Sequence, residues 1–328
     1  MEADSRDGSS YSLQLCLPDA PSPPPTGSLS GSFDATAIAG TSEVDISIDN
    51  FGTGAASVTP TGSFNITTAL VGVTDLYAVA FNSSHTLLAM KIVRSQTVPG
   101  VANGGNTITL AASDVITTSM PIAIPGTPAG FNAPVIIHFP SYVTPNGSYA
   151  IGMGPDPFRP TGYSVAPATQ VQPGDYYLVD LIASSASPPN RSVSTTQYLR
   201  TAAPVSLALP SPWAVTPPTP APLPTFTFDY TGLADQPAVA DNASISWSQG
   251  SASFGINVVA TANHQNGVTA LTMPDLTALP GFFSLAPPGT TISWGASTWG
   301  GTAQFYVGTT VIPQTISRAT GFGSYTQP

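Results

Sequence analysis

The chain has 328 residues, of which 41% are hydrophobic, so it is long enough to build two or three domains with buried cores. Only 7% of the residues are charged and the net charge is −10. The few basic residues do not cluster, which excludes a nucleic-acid-binding surface, and no apolar run is long enough for a membrane-spanning helix.

The composition favours strands over helices. The chain contains only two glutamates, Glu2 and Glu43, and one lysine, Lys91, whereas exposed helix faces usually carry many such residues. Its 35 prolines and 30 glycines interrupt helices and end strands every few residues. The sequence therefore predicts an all-β protein of tandem β-sandwich domains with Pro-rich linkers and almost no helix.

Residues 1–28 are predicted to form a Pro-rich leader or linker, because LPDAPSPPPTGS favours extended polyproline II structure. Cys16 is the one cysteine of the chain, so no intrachain disulfide can form. Its context, SLQLCLPDAP, resembles the end of a bacterial lipoprotein signal. Leu15 is larger than the residue expected before a lipidated cysteine, and no basic and apolar signal regions precede it. A lipidated Cys16 and an incidental thiol both stay open.

Short alternating runs fill the rest of the chain and divide it into three modules. The segment SEVDISIDN alternates apolar and polar residues with the period of a strand. Such runs, bounded by turn residues, predict a first β-sandwich at residues 29–118 and a second at 119–210. A dense proline cluster at 211–224 predicts a linker. A third sandwich is expected at 225–328.

Several segments resemble known extracellular modules. GSFNITTALVGVTDLYAVAFN and QVQPGDYYLVDLIAS are similar to the strand–turn–strand centre of carboxypeptidase-regulatory-like, transthyretin-type sandwiches in exported bacterial proteins. PLPTFTFDYTG and ISWSQG resemble fibronectin type III-like modules of secreted or surface proteins. These resemblances imply an extracellular or cell-surface location in a bacterium, although the chain shows no export signal. They imply no catalytic residue.

The motifs of common enzymes are missing from the sequence. Its three histidines, His85, His138 and His264, accompany no G-x-S-x-G elbow and no H-E-x-x-H motif. We therefore expect a protein that is not an enzyme and that carries no cofactor.

One segment could hold calcium. Asp45, Asp49 and Asn50 lie beside the glycine-rich turn SIDNFGTG, and calcium prefers such oxygen ligands. The segment lacks the spacing of an EF-hand loop. The alternative is a set of solvated turn side chains without a metal.

The tryptophans of the last module are the candidate ligand-binding residues. Trp247, Trp294 and Trp299 occur within SISWSQG, TISWGAS and STWGG. Exposed aromatic rings stack on sugars, whereas a tryptophan in the middle of a strand is more often part of a sandwich core. We expect core positions for Trp247 and Trp294, and an exposed turn position for Trp299.

These observations predict a non-catalytic structural or adhesive module of an exported bacterial surface protein. The alternative is a carbohydrate-binding module that uses exposed aromatic residues of its C-terminal domain. In either case the expected partner is a cell-surface or extracellular protein or a glycan.

Overall fold

The computed structural model describes residues 12–13, 26–48, 54–68, 71–123, 135–153, 160–185, 190–209, 218–228, 238–250, 252–261, 269–278, 285–301 and 314–328. Within these ranges the chain forms 23 strands and two short 3₁₀ helices, and no α-helix. The predicted all-β, sandwich-type fold is therefore confirmed.

The N-terminal part contributes nine strands and both 3₁₀ helices. They are β1 (Ser12–Leu13), β2 (Gly27–Asp34), β3 (Glu43–Ser47), β4 (Gly54–Ser57), β5 (Thr61–Thr68), β6 (Gly72–Phe81), β7 (Leu87–Val98), β8 (Gly100–Val101) and β9 (Ile108–Thr109), with the helices at Ala102–Gly105 and Ala112–Asp114. Strands β2 to β9 form two sheets, one with β2 at its centre and one ordered β4-β3-β6-β7. A core that includes Leu29, Phe33, Ile46, Phe64 and Leu76 lies between them.

The remaining strands belong mostly to one large sheet. They are β10 (Ser119–Ala123), β11 (Val135–Thr144), β12 (Gly147–Ala150), β13 (Gly152–Met153), β14 (Gly162–Ser164), β15 (Tyr176–Ser185), β16 (Asn190–Leu199), β17 (Val205–Ser206), β18 (Thr225–Thr227), β19 (Ala238–Gln249), β20 (Ala252–Thr261), β21 (Ala270–Thr272), β22 (Thr291–Gly301) and β23 (Gln314–Thr326). The large sheet has the order β1-β20-β19-β22-β23-β16-β15-β11-β12. Two smaller sheets, β13-β14-β10-β17 and β18-β21, accompany it.

The large sheet runs through two of the predicted modules. β16 pairs with β23 over nine residues, from Asn190 opposite Phe322 to Tyr198 opposite Gln314. β1, from the predicted leader, pairs with β20 of the last predicted module. The module boundaries stay predictions, but backbone hydrogen bonds join the neighbouring segments.

β6 is covered on both faces, which explains its composition. One face packs in the first core, whereas Tyr77 and Val79 on the other face pack in a second core with residues such as Tyr142 and Leu181 of the large sheet. A strand that is buried on both faces is apolar without interruption instead of alternating. The run LYAVAF within β6 has this character, and its outer face packs directly against the large sheet.

Candidate functional site

A β-bulge between β6 and β7 lies beside a buried polar contact between the first predicted module and the large sheet. The register between β6 and β7 shifts so that Arg94 and Ser95 together lie opposite Asp75. Ser95 adopts a left-handed conformation with a φ of 55°, and its N–H donates a hydrogen bond of 2.7 Å to Asp75 Oδ1. Such a bulge redirects the side chains on the longer strand. Here it accompanies an Arg94 side chain that reaches Asp175 in the second predicted module.

Arg94 joins two buried carboxylates that come from different predicted modules. Its guanidinium donates to Asp75 Oδ2 at 3.2 Å, and to Asp175 Oδ1 and Oδ2 at 3.1 and 2.7 Å. A further bond of 2.8 Å runs to the carbonyl oxygen of Gln170. The Arg94 side chain is 18% exposed and both carboxylates are 1% exposed. Burial alone would lower the pKa of Arg94, but the hydrogen bond and the charge of Asp175, followed by the charge of Asp75, raise it.

Two carboxylates share one cation at this site. Neutral donors supply further hydrogen bonds to the carboxylates. Tyr142 donates its hydroxyl to Asp175 Oδ2 at 2.6 Å, and the N–H of Gln172 reaches the same oxygen at 2.8 Å. Burial and the contact with Asp175 raise the pKa of Tyr142. Hydrogen bonds to an ionised acceptor are stronger than neutral ones, so these donors stabilise the carboxylate in its buried position.

A group of five tyrosines continues the contact and is called here the tyrosine seam: Tyr77, Tyr142, Tyr149, Tyr163 and Tyr177. The rings of Tyr77 and Tyr149 stack at a centroid distance of 5.5 Å, and Tyr142 meets Tyr177 edge-on at 5.1 Å. Their hydroxyls are bonded as well, for example Tyr163 to the carbonyl oxygen of Ala203 at 2.7 Å. Burial raises the pKa of Tyr177 to about 12. The seam thus combines aromatic packing with satisfied polar groups.

Gln170 forms a second bridge between the layers. Its Nε2 donates to Asp114 Oδ1 at 2.7 Å, and its Oε1 accepts the N–H of Ile92 at 3.0 Å. Lys91 Nζ lies 4.0 Å from Asp114 Oδ2 and donates to the carbonyl oxygen of Thr109. Asp114 is therefore held by Lys91 of β7 and by Gln170 of the second predicted module.

Asp75 and Arg94 are not among the residues that the sequence pattern indicated. The available signal was the presence of charged residues within the apolar segments TDLYAVA and MKIVRS, in a chain where charge is rare. Only the fold shows that their partner is Asp175, which is 81 residues away from Arg94. The arrangement holds backbone segments together and leaves both carboxylates buried.

The structure places the three candidate tryptophans on two sides of one sheet. Trp247 and Trp294 are buried in the core, where Trp247 stacks on Phe254 at 5.7 Å and Trp294 contacts Phe226 at 6.2 Å. Trp299 lies within β22 and not in a turn, and it is half-buried. It faces the side opposite to Trp294, because an odd offset along a strand reverses the face. The three rings therefore do not share one exposed platform.

Arg318 is the partner of Trp299 on that side. Its guanidinium carbon lies 4.8 Å from the centre of the Trp299 ring, which is a cation–π contact. Arg318 Nη2 also donates to Ser297 Oγ at 2.9 Å.

Of the three calcium candidates, only Asp45 lies within the described residues; Asp49 and Asn50 lie outside them. Asp45 Oδ2 accepts a hydrogen bond of 2.7 Å from Tyr149. Burial raises the pKa of Asp45, and this effect outweighs the hydrogen bond from Tyr149. Across the described ranges, no three His, Cys, Asp or Glu side chains group together as metal ligands would.

Comparisons with known proteins leave the family open. The chain matches no protein-family model, and a search of curated proteins finds no match either. In the part of the chain that the structure describes, no helix has the length and apolar character needed to cross a membrane.

Proposed function

We propose that this chain is a non-catalytic structural or adhesive module of an exported bacterial surface protein. In this role it holds an attached element away from the cell envelope. The observation that carries the proposal is the buried contact of Arg94 with Asp75 and Asp175, which ties the first predicted module to the second.

Rigid coupling suits a spacer. Domains of one chain move relative to one another by default unless their interface is large and apolar. Here the tyrosine seam and the second core bury apolar side chains from both modules, and the Arg94 contact lies beside them. The joint therefore resists bending in a way that a flexible linker does not.

The coupling continues into the last predicted module. The nine-residue pairing of β16 with β23 means that separating these modules requires the loss of a ladder of backbone hydrogen bonds. A load applied along the strands acts on all of these bonds together. This supports a role in which the chain transmits force between its ends.

The buried acids support a non-catalytic role. Asp75, Asp114 and Asp175 each accept hydrogen bonds from backbone or side-chain donors of the fold. Groups with such partners stabilise the structure and are not presented to a substrate. The resemblance of the modules to exported sandwiches, and the low charge, favour the extracellular location.

The test is made in the source organism. A deletion strain is complemented with the wild-type gene or with the Arg94→Met variant, and the chain is located by cell fractionation and by protease treatment of intact cells. We expect the chain in the surface or secreted fraction, weaker attachment of the deletion strain under flow, and incomplete rescue by Arg94→Met at equal surface abundance.

Two results would contradict the proposal. A chain confined to the cytoplasmic fraction would refute export. Unchanged attachment of the deletion strain under flow would refute the structural or adhesive role.

A further inference from the structure

The side of the large sheet that faces away from the core around Trp294 forms a polar surface with few charges, which we name the hydroxyl face. It spans six strands, β15, β16, β23, β22, β19 and β20. Its central part is defined by Asn242, Ser244, Ser246, Ser293, Phe322 and Ser324.

The strand register aligns hydroxyl groups across this face. Ser246 lies opposite Ser293, and Ser293 lies opposite Ser324, so that three exposed serines form a row across β19, β22 and β23. Neighbouring strands are about 4.8 Å apart, which sets the spacing of the row. This spacing is similar to the length of one sugar ring.

An exposed aromatic ring lies in the next row. Phe322 is 42% exposed, the only phenylalanine among the large exposed hydrophobic residues of the described chain. Gly295 lies directly opposite Phe322 on β22, and Ser244 lies opposite Gly295 on β19. Gly295 adds no side chain between the Phe322 ring and Ser244. A flat ligand could therefore contact both the ring and the serines.

Charge is nearly absent from this surface. Among the described residues that face this side, only Asp180 and Arg318 are charged. Both are engaged: Thr196 donates to Asp180 at 2.7 Å, and Arg318 lies over Trp299. An anionic or cationic ligand would find no opposite charge on the central rows.

We propose that the hydroxyl face binds an extended neutral polysaccharide through Phe322 and the serine rows. Such a chain presents hydroxyl groups that exchange hydrogen bonds with serine and asparagine side chains, and C–H groups that pack on an aromatic ring. It carries no charge, which matches the face. Protein interfaces are typically richer in aromatic, methionine and arginine residues at their centre than this surface is.

The proposal differs from the sequence-based carbohydrate hypothesis in its residues. Trp247 and Trp294 are excluded from contact because they lie in the core. It is also independent of the spacer role. A chain that binds no glycan can still be a rigid spacer, and the attachment assay and the binding assay therefore fail separately.

The test is retention of the purified full chain on insoluble neutral polysaccharides, namely cellulose and chitin, and its retardation in gels that contain soluble neutral glucans. We expect retention on at least one neutral polysaccharide, and not on the anionic polysaccharide alginate. Phe322→Ala should reduce the affinity about fivefold, which corresponds to about 1 kcal/mol. Phe322→Tyr should keep it.

Two further variants separate binding from folding. Val58→Ala alters an apolar side chain that is 85% exposed in the first module, and it should bind like the wild type. Ser293→Glu introduces a charge into the serine row and should weaken retention, while circular dichroism and thermal melting confirm that each variant is folded. Absence of wild-type retention on every neutral polysaccharide, or equal affinity of folded Phe322→Ala and the wild type, would overturn the proposal.

Discussion

The Arg94 guanidinium and the Asp175 carboxylate meet in a two-point contact, with Nη1 to Oδ1 at 3.1 Å and Nη2 to Oδ2 at 2.7 Å. The planar guanidinium matches the two oxygens of a carboxylate in this geometry, which lysine cannot do. Because Asp75 and Asp175 are both buried and Arg94 is the cation between them, loss of Arg94 leaves two uncompensated negative charges in the interior.

Arg94→Met should therefore destabilise the protein by about 3–5 kcal/mol, the usual cost of removing one partner from a buried ion pair. The measurement is chemical unfolding at neutral pH. Arg318→Met, at an exposed arginine, is the matched control and should cost about 1 kcal/mol or less. Equal stability of the two variants would show that the buried contact is not a stabilising joint. The triple variant Asp75→Asn, Arg94→Met, Asp175→Asn should recover much of the loss, because it leaves no buried charge.

Tyr142→Phe removes the hydroxyl that donates to Asp175 at 2.6 Å and should cost about 1.5–3 kcal/mol, the range for hydrogen bonds to charged groups. Tyr176→Phe is the control, since Tyr176 lies on the neighbouring strand β15, on the opposite face of the sheet from Tyr142, and is only partly buried. Its expected cost is within about 0.5 kcal/mol, as for most surface substitutions. Unfolding curves of both variants decide the comparison, and a Tyr142→Phe protein as stable as the wild type would contradict it.

Asp45→Asn should stabilise the protein at neutral pH. Burial raises the pKa of Asp45 in the folded state above the ordinary value of 3.8, so the charged carboxylate opposes folding. For a raised carboxyl pKa, the stabilising contribution is fully present below the unfolded-state pKa and is lost as the pH rises through the folded-state pKa. Asparagine keeps an oxygen that accepts the Tyr149 hydroxyl but carries no charge.

The measurement is the unfolding free energy of the wild type and Asp45→Asn at pH values from acidic to neutral. The advantage of the variant should disappear below pH 3.8, where Asp45 is protonated in both states. A difference that stays constant over this range would mean that the charge of Asp45 is not its source. Asp34→Asn is a comparison at a partly exposed acid, whose pKa is lowered by hydrogen bonds with Thr36.

Trp294→Phe should destabilise the last module by about 1–3 kcal/mol, because it leaves unfilled space beside Phe226 in the core. Trp299→Phe should cost less, since Trp299 is half-buried on the other side of the sheet. Neither change should alter binding that depends on Phe322. A Trp294→Phe protein with normal stability and reduced polysaccharide retention would contradict both the core position and the proposed binding surface.

Individual strands were predictable because their patterns are local. The alternation in SEVDISIDN corresponds to β3, and the segment TGSFNITT corresponds to β5, whose apolar residues alternate toward the core. Trp299 was harder to place, because glycine and serine neighbours are typical of turns, whereas here they lie within a long strand. Its turn assignment was wrong for that reason.

Composition and period-two patterns by themselves determined that this protein is all-β, since these signals depend only on neighbouring residues. The sequence also indicated that charge is rare. It could not decide that Arg94 pairs with Asp175, that β16 pairs with β23, or that Phe322 and Ser293 share an open face. These contacts join residues that are far apart in the chain, and only the tertiary structure brings them together, because side-chain burial and strand register are set by the packing of whole sheets and not by any local pattern.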